Sequence, residues 1–187
     1  VIAELVKSSI ENRRSIDANS EIRIIEIGAG TGATAERVCQ EILNYANISY
    51  MYTDISHSFL NYGKKKLSAS YPFVEFSLLD IENDQKDFGS GYNIVIATNV
   101  LHATKNISLT LENTKRLLKQ NGLLLINEMT RNQDYLTITF GLLDGWWKYE
   151  DDVYREAGCP FLKERNWKHL LEREGFRDVR FVGLPVQ

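Results

Sequence analysis

Seven residues, Glu26-Ile27-Gly28-Ala29-Gly30-Thr31-Gly32, constrain this chain more than any other stretch. Ile22-Arg23-Ile24-Ile25 before them reads as a short buried strand, and Ala33 to Tyr45 after them carries Ala35, Val38, Cys39, Ile42 and Leu43 at helical spacing. Strand, glycine turn and helix in that order is the setting in which such a motif binds a nucleotide-like cofactor. Glycine lets the backbone turn tightly and approach a ligand, and the helix N-terminus offers unpaired N–H groups. Gly28, Gly30 and Ala33 also satisfy the G-x-G-x-x-G/A dinucleotide fingerprint, with Asp54 about 20 residues beyond it. The stretch alone leaves a nicotinamide and an S-adenosylmethionine cofactor both open.

What such a turn can belong to is bounded by size and charge. A chain of 187 residues, 43% hydrophobic, suits one globular domain with a sizeable core. The 22 basic and 25 acidic residues leave a net charge of −3, and the longest run of like charge is Lys64-Lys65-Lys66, so no nucleic-acid footprint is present. Cys39 and Cys159 are too few for a disulfide framework or a zinc site, which leaves a reducing cytoplasm as the default compartment. No apolar run approaches the ~18 residues of a spanning helix. The chain opens at Val1 within a helical pattern (Ile2, Leu5, Val6, Ile10), which reads as a piece of a longer polypeptide.

Further strands are expected at Ile48 to Thr53, Val74 to Leu79, Tyr92 to Ala97 and Leu123 to Asn127. Tyr92 to Ala97, the fourth strand counting the one before the glycine turn, reads as the continuous apolar run of a strand buried on both faces. A helix from Ser108 to Lys119 is expected to close at Asn121-Gly122. Late elements are a helix from Asn166 to Glu174 and a short strand at Val179 to Val182, after which such a fold would want one more strand. The alternation predicts an α/β fold, a Rossmann-like and mostly parallel sheet with helices on both faces. Polar residues stand at the carboxyl ends of its strands: Glu26 to Gly32, Asp54, Asp80 before the acidic loop Glu82-Asn83-Asp84-Gln85, Asn99 with His102, and Glu128. Ligands of open parallel sheets bind along that edge. Asp54 is placed to accept from a ribose hydroxyl; alternatively Asp54 or Ser56 caps the helix beginning near Phe59.

His102 and Glu128 follow neighbouring strands, so the carboxylate can hold the imidazole in one tautomer and the pair can act as a general base; a hydrogen-bonded loop histidine is the plainer alternative. His57 and His169 have weaker claims, and no metal set emerges from three histidines and two cysteines. The chain lacks a G-x-S-x-G elbow and a Gly-Lys-Ser/Thr ending on the glycine turn, which removes hydrolysis and phosphoryl transfer.

Together, Glu26 to Gly32, Tyr52-Thr53-Asp54-Ile55-Ser56, Leu79-Asp80-Ile81-Glu82, Asn99-Val100-Leu101-His102-Ala103-Thr104 and Phe140 to Trp147 resemble the C-methyltransferase domains of modular polyketide synthases, from about Ile22 to Phe176. The resemblance implies S-adenosylmethionine as cofactor, with S-adenosylhomocysteine as product. It implies methylation of the α-carbon of a β-ketoacyl thioester on the phosphopantetheine arm of an acyl carrier protein. It makes His102 the base and Glu128 its orienting partner. By position, Glu26, Gly28, Gly30 and Gly32 border the methionine part, Asp54 the ribose, Asp80 and Ile81 the adenine, and Asn99 the methionyl end. Phe140, Trp146 and Trp147 are acyl-pocket candidates. The expected layout is one methyltransferase core: residues 1–20 as the remnant of an N-terminal lid or linker, 22–128 for cofactor, and 129–187 for substrate and the C-terminal elements. Rival readings are an O-methyltransferase domain, a silent structural domain of a megasynthase, and a nicotinamide oxidoreductase.

Overall fold

The structure, a computed structural model, describes residues 1–83 and 88–182. Of the acidic loop expected at Glu82 to Gln85, Asp84 and Gln85 lie outside the described residues. The chain folds into two compact units: Val1–Val100 with Asn113–Asn127, and Leu101–Glu112 with Glu128–Gln187.

The first unit holds helix α1 (Ile2–Ile16), strand β1 (Ile22–Ile27), helix α2 (Ala33–Ile42), strand β2 (Ile48–Asp54), helix α3 (His57–Leu67) and strands β3 (Val74–Leu78), β4 (Tyr92–Thr98) and β5 (Leu118–Asn127). The strands form one sheet in the order β3-β2-β1-β4-β5, and every pair is parallel. β1 alternates strictly between two cores. Ile22 and Ile24 pack with Val6 and Ile10 of α1, Val38 and Ile42 of α2, and Tyr50, Ile94 and Ile96. Ile25 and Ile27 turn the other way, toward Val95, Leu79, Ile81 and Leu117. Burial on both faces explains the unbroken apolar runs, and each such side chain contributes roughly 1.5–3 kcal/mol. The order reverses between β2 and β4 on either side of β1, so the switch point lies where the glycine turn leaves β1.

Two expectations are corrected here. Helix α4 ends at Leu117 (Ile107–Leu117) and β5 begins at Leu118, so Lys119 and Asn121-Gly122 lie within the strand rather than in a helix and its cap. Leu118 already pairs with Tyr92, and the register then moves to Ile94↔Leu123, leaving the intervening residues bulged, with Asn121 at φ 59°. Sheet pairing with β4 thus takes up the residues that would otherwise have capped a longer helix. Val179 to Val182 forms no strand among the described residues, having no ladder partner there.

In the second unit, a 3-10 turn (Leu101–Ala103) precedes α4, whose residues are divided between the two units; helix α5 (Asp134–Phe140), 3-10 turns at Asp144–Trp147 and Asp152–Tyr154, and helix α6 (Glu164–Arg173) follow. Its core is Leu136, Trp146, Cys159 and Phe161, with Met129 packed against them. None of the described helices is long and apolar enough to cross a membrane.

Candidate active site

In the first unit, Gly28, Gly30 and Gly32 all take left-handed backbone angles (φ 60°, 57° and 70°). At Gly28 the requirement is also steric, since a Cβ there would sit 2.4 Å from Val100 Cγ2. The turn is fastened on both sides of Gly30: its N–H donates to Asp54 Oδ2 at 2.9 Å, and its carbonyl accepts from Tyr52 Oη at 2.6 Å. Asp54 Oδ1 accepts from Ser56 N at 2.8 Å, while Ser56 is the N-cap of α3 without a side-chain cap bond. The carboxylate of Asp54 therefore braces the glycine turn and the entry to α3 at once, and two acceptors still leave lone pairs for a ligand hydroxyl.

Glu26, at the end of β1, is 1% exposed, and its Oε2 accepts from Tyr50 Oη at 2.6 Å. Burial pushes its carboxyl from the ordinary 4.5 up to about 8; the Tyr50 bond opposes that and the charge of Asp54 adds to it. Asp80 accepts from Glu82 N and Asn83 Nδ2. Asn113 of α4 donates to the carbonyls of Ile81 and Asn83, at 2.8 and 3.1 Å, and so supports the same turn. Asn99 follows β4 at φ 50° and is tied by its N–H to the Asn127 carbonyl at 2.8 Å. Glu26, the three glycines, Asp54, Asp80, Ile81 and Asn99 thus all stand at the carboxyl edge of one sheet. A left-handed glycine cradle with acids after the next two strands fits a nucleoside cofactor.

In the second unit, His102 Nδ1 and Glu128 Oε2 are 2.5 Å apart, and Glu128 Oε1 accepts from Leu101 N at 2.7 Å. One carboxylate thereby grips both the ring and the backbone of the same turn. With the proton of that bond on Nδ1, Nε2 carries the free lone pair. The imidazole packs on Phe161 (centroids 5.0 Å apart), and Phe161 meets Trp146 edge-on at 5.3 Å. Phe140 stacks on Trp146. The two adjacent tryptophans separate: Trp146 is buried with its indole N–H unpartnered, whereas Trp147 is half-exposed and donates to the Gly141 carbonyl. Among the described residues no group of three or more His, Cys, Asp or Glu could hold a metal ion.

Three residues escaped the sequence reading: Tyr50, Asn113 and Arg155. Each acts by a buried tertiary hydrogen bond, and none sits in a motif. The only sequence signal was for Tyr50, a polar-tipped aromatic two residues from Tyr52 in a buried strand.

A family model described as a methyltransferase domain matches residues 25–124. Polyketide synthase PksM of Bacillus subtilis (strain 168) is 46% identical over 186 residues, covering 97% of this chain and 4% of that protein. The chain spans between 3% and 8% of the length of the curated relatives it matches. The crystal structure of DszA carbon methyltransferase superposes with a TM-score of 0.85 at 44% identity, covering 95% of this chain and 47% of that one. The trans-methyltransferase CalH, solved in complex with SAH, gives a TM-score of 0.79 at 36% identity over 92% of this chain and 48% of its own.

Proposed function

Because the chain belongs to the methyltransferase-domain family, we propose that it is the carbon-methylating domain of a polyketide synthase, acting on the α-carbon of a β-ketoacyl thioester carried by an acyl carrier protein. It is an S-adenosylmethionine-dependent methyltransferase of the class I, Rossmann-like fold. Neighbouring synthase domains are its expected company, and a reducing cytoplasm its compartment. Burial pushes both thiols up, Cys39 to about 12, which suits residues that stay reduced.

On this reading Glu26, Gly28, Gly30 and Gly32 border the methionine part of the cofactor, Asp54 accepts from the ribose, Asp80 and Ile81 meet the adenine, and Asn99 lies near the methionyl end. Residues 22–128 serve cofactor and residues 129–187 serve substrate within one methyltransferase core. When bound, S-adenosylmethionine supplies an electrophilic methyl group. His102 Nε2 takes the proton from the carbon between two carbonyls, whose electrons spread onto oxygen. Glu128 holds the Nδ1 proton and stabilises the imidazolium formed. Phe140, Trp146 and Trp147 line the acyl pocket, and the unpartnered indole N–H of Trp146 is a donor suited to a carbonyl oxygen.

The single observation that carries the base assignment is the 2.5 Å His102–Glu128 contact, anchored through Leu101 N. The test is mass spectrometry of a β-ketoacyl carrier protein after incubation with this domain and S-adenosylmethionine, followed by hydrolysis to locate the methyl. Wild type should place it on the α-carbon. His102→Ala should lose about 10²–10⁴-fold in rate, the usual worth of a general base, with S-adenosylhomocysteine binding unchanged by calorimetry. A methyl on oxygen would move the assignment to O-methylation; loss of cofactor binding in the variant would make His102 structural.

A further inference from the structure

Arg155 belongs to none of the motifs, yet it is 7% exposed and every side-chain nitrogen has a partner within the second unit. Nε donates to Asp151 Oδ1 at 2.6 Å. Nη1 donates to the carbonyls of His102 at 2.7 Å and Pro160 at 2.8 Å, and Nη2 donates to the carbonyl of Thr104 at 3.0 Å. The other oxygen of Asp151 accepts from the N–H of Ile107, the first residue of α4, at 2.7 Å. The face of the guanidinium lies 5.5 Å from the Tyr149 ring.

These bonds converge on the turn that carries the imidazole. Glu128 takes its donors, Leu101 N and His102 Nδ1. Arg155 takes its acceptors, the carbonyls of residues 102 and 104, and reaches from there to Pro160, next to the Phe161 ring on which His102 rests. We propose that Arg155 is a positioning residue for the general base: its fork fixes the turn at Leu101 to Thr104 so that ring and backbone meet the one carboxylate of Glu128, and fixes Phe161 against the ring. This rests on the reading of His102 as the base. A lysine at 155 keeps the charge but offers a single point of donation in place of a planar fork spanning four acceptors.

The decisive readout needs no substrate. The Nδ1 proton of His102, held by a carboxylate, should give a downfield proton resonance in wild-type protein that is absent from His102→Gln. In Arg155→Lys that resonance should shift or vanish, and kcat with a β-ketoacyl carrier protein should fall on the order of 10- to 100-fold, the scale known for removing the outer partner of a metal-bound histidine. Affinity for S-adenosylhomocysteine should be unchanged. Asp151→Asn, which keeps the guanidinium and weakens its anchor, should move both readouts in the same direction by less, and stands in for Arg155→Lys if that variant fails to fold. A resonance that stays in place, with thermal stability alone reduced, would overturn the proposal and leave Arg155 a structural tie. If wild type itself transfers no methyl, the functional reading fails while the resonance still decides the clamp.

Discussion

Glu26 is a carboxylic acid kept in the interior with a tyrosine as its companion, and its acidity is a stability term. Its carboxyl titrates near 4.5 when the chain is unfolded and about 8 when folded, so between these values the folded protein binds the extra proton. Its contribution is complete below the lower value and is lost as pH rises through the upper one. Glu26→Gln should therefore flatten the dependence of thermal midpoint on pH between about 5 and 8, an effect of up to several kcal/mol; an unchanged slope in that variant would mean the group is ionised throughout. At this scale His102 and Glu128 were legible because they follow strand ends. Arg155 was not, because within Asp151-Asp152-Val153-Tyr154-Arg155 it looks like an ordinary solvated charge, and only burial against three carbonyls distinguishes it.

Elements show where local pattern is a sufficient guide and where it is not. The glycine turn was readable, and the structure adds a quantitative contrast. Gly28→Ala forces both a left-handed residue and a clash with Val100, which should cost at least ~1–2 kcal/mol of stability from the backbone alone and abolish cofactor binding measured by calorimetry. Gly145→Ala, with nothing within 4 Å of the added carbon, should leave the stability measured by denaturant unfolding within about 0.5 kcal/mol of wild type. The five expected sheet strands emerged because continuous apolar runs bounded by polar residues read the same way locally and globally. The α4–β5 junction did not: Asn121-Gly122 has the chemistry of a helix cap, and only Tyr92, far away in sequence, turns it into a bulge. Val179 to Val182 has strand composition but no ladder partner among the described residues, and a strand is defined by its neighbour.

Across the whole molecule, charge and composition could not divide the chain into its two units, since each is assembled from discontinuous segments. The strand order carries a consequence for how the first unit comes to exist. β1, β2 and β3 are consecutive in sequence and adjacent in the sheet, whereas β4 joins β1 from the other side, with partners such as Arg23 and Asn93 separated by 70 residues. Closing so long a loop is a late and slow event, because its entropy is lost before the contacts form. The transition state should therefore contain the β1–β2 pairing, with β4 still loose. Ile22→Val, opposite Ile48, should slow refolding, whereas Ile96→Val should mainly speed unfolding, each costing about 0.5–1.5 kcal/mol. Stopped-flow chevrons would show the reverse pattern if β4 docks first. During synthesis, the glycine turn and the acid that braces it should thus form once β2 has emerged, while β1 keeps one edge open until β4 follows.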